Sequence, residues 1–351
     1  MQQSAKVKPF IPEGISYAFS QPPKPGAIRQ VAPSVYWLRM PLPFALEHIN
    51  LWLLDDGDGW TIVDCGFGTD ETRALWDGIF ASCLNGKPVR RIVITHFHPD
   101  HFGLAAWLAD KWRAPVLMTR PEYAAAQAWH TSRELFTRSA NFELFKKHGL
   151  QINVDGSPPP RENLFRRGVP AIPSSVIPLD DGAPLNINGR KWRVVTGYGH
   201  SPEHAALVCD ELGVLIAGDM VLPRISTNVS VQPNLPDADP LGQFLDSLTR
   251  YAALDADTLV LPSHGLPFHG LRPRIQALHD HHALRLDELL VACAAPRTGA
   301  ELMPVIFKRA LDPQQTFFAM GETLSHLNYL QHRGRLARTC GEDGIYRYSR
   351  A

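Results

Sequence analysis

The stretch Thr95-His96-Phe97-His98-Pro99-Asp100-His101 places four potential metal ligands within seven residues. It follows the apolar, β-branched run Ile92-Val93-Ile94, which predicts a buried strand over Arg91–Thr95. Because side chains alternate between the faces of a strand, the first two histidines share a face if the strand continues that far. The proline then predicts a loop in which the Asp-His pair folds back toward them. So many ionisable side chains next to a strand end cost free energy unless each is paired with a partner. The run therefore predicts one or two bound divalent metal ions.

The same pattern recurs along the chain, as an apolar predicted strand followed by a ligand type with glycine nearby. Strand ends that converge on one rim of a sheet are a usual place for a site. The further candidates and the predicted strands that precede them are Asp64 after Trp60–Val63, His200 and His204 after Trp192–Thr196, Asp219 after Val214–Ala217, and His264 after Thr258–Leu261.

Predicted strands and helices alternate in each half of the chain, which favours two sheets packed face to face with helices outside. We expect a Pro- and Gly-rich extension over 1–30, a catalytic domain over 31–270 and a C-terminal domain over 271–351. Residues 121–150 predict a helical insertion, either a substrate lid or ordinary packing against the core. The C-terminal domain predicts three helices and a hairpin, an order typical of a winged helix.

Composition excludes several classes of protein. The 35 basic residues equal the 35 acidic ones, so nothing favours nucleic acid or a membrane surface as partner. Five scattered cysteines without a CxxC pair predict free, buried thiols. We find no signal peptide or membrane span in the sequence and therefore expect a cytoplasmic location. The C-terminal domain is a candidate surface for a homodimer.

The ordered set Asp64, His96-x-His98-x-Asp100-His101, His200, Asp219, His264 resembles the metallo-β-lactamase superfamily. All five sequence motifs of that family are present in order, over about residues 30–270. The resemblance implies an α/β fold, an αββα sandwich of two mixed sheets with a dinuclear metal site between them. Asp100 and Asp219 together look like the glyoxalase II-like, lactonase and endoribonuclease-like branches rather than the antibiotic-degrading one.

The resemblance also implies a role for each candidate. His96, His98 and His200 would hold the first metal, Asp100, His101 and His264 would hold the second, and Asp219 would bridge both. Asp64 and His204 would support these ligands by hydrogen bonds. Ligands of this kind without thiolate suit zinc, and also iron or manganese.

We expect hydrolysis by a hydroxide held between the two metals, with the second metal, or a proton from Asp100 or water, assisting the leaving group. Tyr198 is a candidate phenol donor to a substrate carbonyl, and His48 is a candidate to face the site. Apolar side chains on the loop after Asp219 (Leu222, Ile225, Val229 and Val231) predict a small, partly apolar substrate: a carboxylic ester, thioester or lactone. The alternatives are a metal-dependent nuclease or phosphodiesterase, and an iron-dependent redox enzyme of the same fold.

Overall fold

A computed structural model describes residues 13–44, 46–132, 138–151 and 164–351. Residues 1–12 of the predicted extension lie outside the described residues. The first half of the chain forms strands β1 (Ser16–Tyr17), β2 (Arg29–Ala32), β3 (Val35–Pro41), β4 (His48–Asp55), β5 (Trp60–Val63), β6 (Val89–Val93), β7 (Val116–Met118) and β8 (Ile177–Pro178). Its helices are α1 (Asp70–Ser82), α2 (Pro99–Phe102), α3 (Ala105–Trp112), α4 (Arg120–Thr131), α5 (Arg138–Lys147) and α6 (Leu164–Gly168).

The second half supplies the other sheet and its helix. Its elements are β9 (Pro184–Ile187), β10 (Arg190–Gly197), β11 (His204–Cys209), β12 (Val214–Gly218), α7 (Pro240–Ala252), β13 (Leu259–Pro262) and β14 (Phe268–His269). The C-terminal part forms α8 (Leu271–Ala292), β15 (Arg297–Thr298), α9 (Gly299–Ile306), α10 (Pro313–His332), β16 (Leu336–Cys340) and β17 (Tyr346–Arg350). No helix in the described ranges is long and apolar enough to cross a membrane.

Two mixed sheets form the centre of the catalytic domain. Among the described residues, one sheet has the order β2-β3-β4-β5-β6-β7-β8 and the other β1-β14-β13-β12-β11-β10-β9. In the first sheet, β5 through β8 pair in parallel, and in the second only β12 and β13 do. Because parallel neighbours end on the same side, the loops after β5 and β6 leave from one end of the first sheet, and those after β12 and β13 leave from one end of the second.

Three apolar clusters define the layers. Val63 and Val93 of the first sheet pack with Leu207 and Ile216 of the second, between the sheets. A second cluster joins the outer face of the first sheet to α1, α3 and α4. The third joins the second sheet to α7, α8 and α10. Helices therefore cover both outer faces, and the predicted αββα sandwich is confirmed.

The C-terminal part contains the predicted three helices and hairpin, and β15 adds a third strand to the hairpin. Helix α9 begins with a capping box, in which Thr298 and Glu301 exchange hydrogen bonds. The described part of the 121–150 insertion is helical. Its Ala126 packs under the first sheet, whereas Leu144 and Phe145 pack in the cluster that contains the C-terminal helices. The insertion thus reaches from one domain to the other, and a lid movement stays a prediction.

Two local expectations around the opening motif were wrong. Strand β6 ends at Val93, so the first two histidines lie beyond the strand and its side-chain alternation does not place them. Pro99 begins the short helix α2 instead of a loop, because its fixed φ suits a first helical position. Of the five free cysteines, Cys83 is only partly buried and Cys340 is exposed, because both lie in outer elements of the fold.

Candidate metal centre

The predicted ligands converge at one end of the sandwich. Three overlapping groups have ligand atoms that all lie within 4.8 Å of one another. They are His96 with His98 and His200, Asp100 with His101 and His264, and His96 with His101 and Asp219. Residues up to 168 positions apart in the chain, from His96 to His264, therefore meet in one place.

The first group is made of three imidazoles. The Nε2 atom of His96 lies 3.0 Å from Nδ1 of His98 and 3.2 Å from Nε2 of His200. Oδ2 of Asp219 lies 3.4 Å from Nε2 of His200. This group could hold one metal ion with nitrogen and oxygen ligands only.

The second group has two imidazoles and a carboxylate. Oδ2 of Asp100 lies 3.4 Å from Nε2 of His264 and 3.7 Å from Nε2 of His101. Oδ1 of Asp219 lies 3.5 Å from each of the same two nitrogens. Asp219 thus turns one carboxylate oxygen toward each group, which is the arrangement a bridging ligand needs.

The outward ring nitrogens fix which atoms face inward. Nδ1 of His200 donates to the Asn228 carbonyl at 2.7 Å, and Nδ1 of His264 donates to the His48 carbonyl at 2.9 Å. Nδ1 of His101 donates to Oδ2 of Asp64 at 2.7 Å. Because the outer nitrogen of each neutral ring keeps its proton for these bonds, each inner nitrogen can present a lone pair to a metal.

The burial of the inner atoms and the charges around them also fit a bound cation. Nε2 of His101, Nε2 of His264 and Oδ1 of Asp219 are buried and have no hydrogen-bond partner among the residues that the structure describes. Burial lowers the pKa of His264, but Asp219 and Asp100 outweigh it and raise that pKa to about 10. A divalent cation would take the place of the proton that these carboxylates attract. The donor set therefore fits two borderline or hard divalent metals.

Asp64 holds the metal-binding run in place from a strained backbone position. Its φ of 61° is unusual for a residue with a side chain, and the side chain is buried. Its carboxylate accepts from Thr95 N and Thr95 Oγ1, both at 2.8 Å, as well as from His101. These bonds offset the strain, which is common at functional sites.

His204 and Gly218 position the bridging aspartate. The backbone N–H of Asp219 donates to Nε2 of His204 at 3.3 Å. A Cβ at Gly218 would clash with that same nitrogen, and the backbone there has a φ of 54°, so only glycine allows the approach. The Thr227 hydroxyl donates to the Asp219 carbonyl from the loop that follows. The structure thus places His204 where a supporting role needs it.

Of the three candidates for direct catalysis, Asp100 lies within a ligand group, whereas Tyr198 and His48 lie outside the ligand groups. The Tyr198 hydroxyl donates to Oε1 of Glu203 at 3.0 Å. Nε2 of His48 accepts from the Gly265 N–H at 3.1 Å, and burial and Arg39 lower its pKa to about 3. His48 therefore supports the His264 loop as a neutral ring, and its side chain is not among the ligand atoms.

Three supporting residues were missed in the sequence. Asn50 on β4 donates to the Pro262 and Gly265 carbonyls, and Arg39 on β3 donates to the Gly265 carbonyl at 2.7 Å. These contacts tie the His264 loop to the opposite sheet. A polar residue in a predicted strand was the only signal that could have pointed to them.

Glu122, the third missed residue, connects the two ligand loops. Its Oε2 accepts from Phe97 N at 2.9 Å, between two histidines of the opening motif. Its Oε1 accepts from Ser201 Oγ and Glu203 N, both at 2.6 Å, just after His200. Burial raises the pKa of Glu122 to about 7, against the effect of these three donors. In the sequence it resembles an ordinary acidic residue in a first helical turn.

The comparisons agree with this geometry. Residues 45–264 match the model of the Metallo-beta-lactamase superfamily. The chain belongs to this superfamily. Residues 286–351 match a second model, described as Metallo-beta-lactamase-like, C-terminal domain. The family match thus confirms the resemblance on which the ligand predictions rest, and it adds a family domain at the C-terminus.

Solved structures and curated proteins extend the likeness over nearly the whole chain. A beta-lactamase domain protein from Burkholderia ambifaria is 48% identical with a TM-score of 0.88, covering 96% of this chain and 97% of its own. A metallo-beta-lactamase family protein from Thermus thermophilus is 33% identical with a TM-score of 0.77, covering 92% and 100%. The probable metallo-hydrolase YqjP of Bacillus subtilis is 26% identical over 84% of this chain and 91% of its own. The coarse prediction of a metallo-hydrolase of this superfamily is thereby supported.

Proposed function

We propose that the protein hydrolyses a carboxylic ester, thioester or lactone with two divalent metal ions, zinc foremost. The observation that carries the proposal is the convergence of seven potential ligand side chains, three of whose inner atoms are buried without a hydrogen-bond partner among the described residues. His96, His98 and His200 would hold one ion, Asp100, His101 and His264 the other, and Asp219 both. Ions held there would lower the pKa of water and polarise a carbonyl oxygen.

The chain's own residues would orient this chemistry. The hydrogen bonds from the outer ring nitrogens keep the imidazoles of His101, His200 and His264 in the tautomer that binds metal. Glu122 keeps the loops of His98 and His200 at a fixed separation. Asp100 keeps 13% of its side chain exposed, so its carboxyl can take up or deliver a proton at the leaving group. The phenol of Tyr198 would take no part in the hydrolysis, because its hydroxyl is hydrogen-bonded to Glu203.

The choice of an ester, thioester or lactone as the hydrolysed bond rests on exposed apolar side chains and on one related protein. Leu46 and Ile225 are exposed apolar side chains, 38% and 46% accessible. Leu46 precedes His48, whose carbonyl accepts from His264, and Ile225 lies on the loop that follows Asp219. Leu222, Val229 and Val231, predicted to line the pocket, are instead buried because the loop packs inward against the core. A fungal atrochrysone carboxyl ACP thioesterase is 23% identical over 78% of this chain and 73% of its own. An acyl compound with an apolar part suits these features better than a bare phosphate.

Metal analysis joined to a substrate panel tests the proposal. The panel contains p-nitrophenyl esters, acyl thioesters, lactones, a bis-p-nitrophenyl phosphate and single-stranded RNA. We expect about two metal equivalents per chain and ester, thioester or lactone turnover that is lost on chelation and restored by zinc. Cleavage of the phosphodiester or RNA alone would favour the nuclease alternative. Iron together with oxygen consumption, and no hydrolysis, would favour the redox alternative.

A further inference from the structure

We propose that Glu322 of the C-terminal domain is a positioning residue for the metal ligand His200, acting through Asn228. This inference rests on the proposed function, since it needs His200 to hold a metal. A residue of the C-terminal domain would thereby help to set the geometry of the metal centre. The loop 222–231, between the bridging Asp219 and α7, carries the connection.

The connection consists of two consecutive hydrogen bonds. Nδ1 of His200 donates to the Asn228 backbone carbonyl at 2.7 Å. The side-chain amide of the same asparagine donates from Nδ2 to Oε2 of Glu322 at 3.3 Å. The first bond sets the tilt of the ring and keeps its Nε2 lone pair directed inward. The second bond attaches Asn228, whose carbonyl sets that tilt, to α10.

The orientation of the Asn228 amide is determined by its neighbours. The Ser230 hydroxyl donates to Oδ1 of Asn228 at 2.9 Å, so the nitrogen is the end that faces Glu322. Glu322 is only 9% exposed, and burial raises its pKa to about 7 while the Asn228 amide and Arg285 lower it. A carboxylate this far from water needs such a donor to offset its lost hydration.

Further contacts hold the loop to the same domain. Arg274 on α8 donates from Nη2 to the Ile225 carbonyl at 2.7 Å and from Nε to the Leu222 carbonyl at 2.5 Å. Val231 N donates to the Gly321 carbonyl of α10 at 3.2 Å. The loop is thus fastened at both ends, and Glu322 is the contact directed at its centre, where His200 binds. A rigid attachment of this kind favours one ligand geometry.

The test compares zinc affinity and kinetics in Glu322→Ala, Glu322→Gln and the wild type, all as full chains. Removal of a partner that orients a ligand typically costs about 10- to 100-fold in metal affinity or activity. We expect the alanine variant to lose about 10-fold in affinity for one of two zinc equivalents and to lower kcat with little change in KM. The glutamine variant keeps a carbonyl acceptor for Asn228 and should recover most of the loss.

Two further variants separate positioning from general destabilisation. Glu301→Ala removes the capping box of α9 in the same domain, and it should lower the unfolding temperature without changing zinc affinity. Asn228→Ala should lose as much affinity as Glu322→Ala, and the double variant should lose no more than either. Additive losses would show that Glu322 does not act through Asn228 and would overturn the proposal.

The outcomes also distinguish this inference from the proposed function. If the wild type binds zinc and turns over substrate but Glu322→Ala keeps full affinity and kcat, the positioning role is wrong and the hydrolase remains. If the wild type binds no metal, the proposed function fails, and the inference falls with it. Should Glu322→Ala not fold, unchanged zinc affinity in Asn228→Ala overturns the inference on its own.

Discussion

Two groups of buried histidines, one at the metal centre and one in the C-terminal domain, differ in how their nitrogens are satisfied. At the metal centre, inner nitrogens of His101 and His264 are buried without a hydrogen bond. In the C-terminal domain, His326 donates from Nδ1 to the Glu322 carbonyl at 2.8 Å, and its Nε2 accepts from Nδ1 of His282 at 3.1 Å. Only Nε2 of His282 has no hydrogen bond in this pair, and that ring lies beside Phe244.

The difference shows what separates a ligand from a packing residue. In the His282–His326 pair, three of the four ring nitrogens have protein partners, so both rings can stay neutral without a bound cation. At the metal centre, lone pairs and carboxylates face one another at 3.0 to 3.7 Å, which only protons or cations can reconcile. Exposure alone would not distinguish them, because His101 and His282 are both fully buried.

The largest effect on the metal centre is expected from Asp219→Asn. The amide keeps the shape but loses the charge shared by both groups, so we expect loss of both metals and more than about 100-fold in kcat, beyond the effect of a merely supporting residue. Circular dichroism should show an unchanged fold. His98→Ala should likewise abolish turnover.

Asp210→Asn is the matched control, since Asp210 is exposed in the turn at the opposite end of β12. It should leave metal content and kcat unchanged. Full activity in Asp219→Asn would contradict the assignment of the centre.

The next effect is expected from Glu122→Gln. One amide oxygen cannot accept all three bonds that the carboxylate receives, so the loops of His98 and His200 lose their common support. We expect a loss of about 10- to 100-fold in kcat with reduced zinc affinity. Stopped-flow chelator competition measures the affinity. Glu143→Gln on the exposed face of α5 should change neither quantity, and equal effects of the two variants would refute the role of Glu122.

A smaller effect, on stability and not on metal binding, is expected from the His282–His326 pair. His326→Leu leaves the Nδ1 donor of His282 without an acceptor, which costs about 1 to 3 kcal/mol in the free energy of unfolding. Urea unfolding measures that free energy. Because neither ring contacts a ligand, zinc stoichiometry should stay at the wild-type value. A loss of metal without a loss of stability would reverse the comparison.

The smallest effect is a dependence of stability on pH. Burial lowers the pKa of His326 to about 4, so the folded state keeps this ring neutral while an unfolded chain protonates it near pH 6.5. Stability from this residue is therefore present above pH 6.5 and is lost as the pH falls to about 4. The slope is about 1.4 kcal/mol per pH unit. In chelator-treated protein, His326→Leu should flatten the curve of unfolding free energy between these pH values relative to the wild type; parallel curves would exclude the effect.

Much of the fold and the ligand set could be predicted, because their signals are local. Apolar runs marked β5, β6, β12 and β13, and a ligand type followed each of them. Local signals also mark helix starts, since Thr69 and Thr298 each accept a hydrogen bond from the backbone three residues later. The end of β6 was missed, since an apolar residue after a strand has the same signature as one inside it.

The motifs in the sequence identify which side chains could bind metal and in what order they occur. Which ring nitrogen faces inward, and which residues hold it there, follows from the packed fold. Those choices depend on hydrogen bonds across long separations, such as 79 positions from Glu122 to Ser201 and 94 from Asn228 to Glu322. A periodic pattern reports the face of one element, whereas a partner is fixed by how separate elements pack, so no local pattern could have shown these bonds.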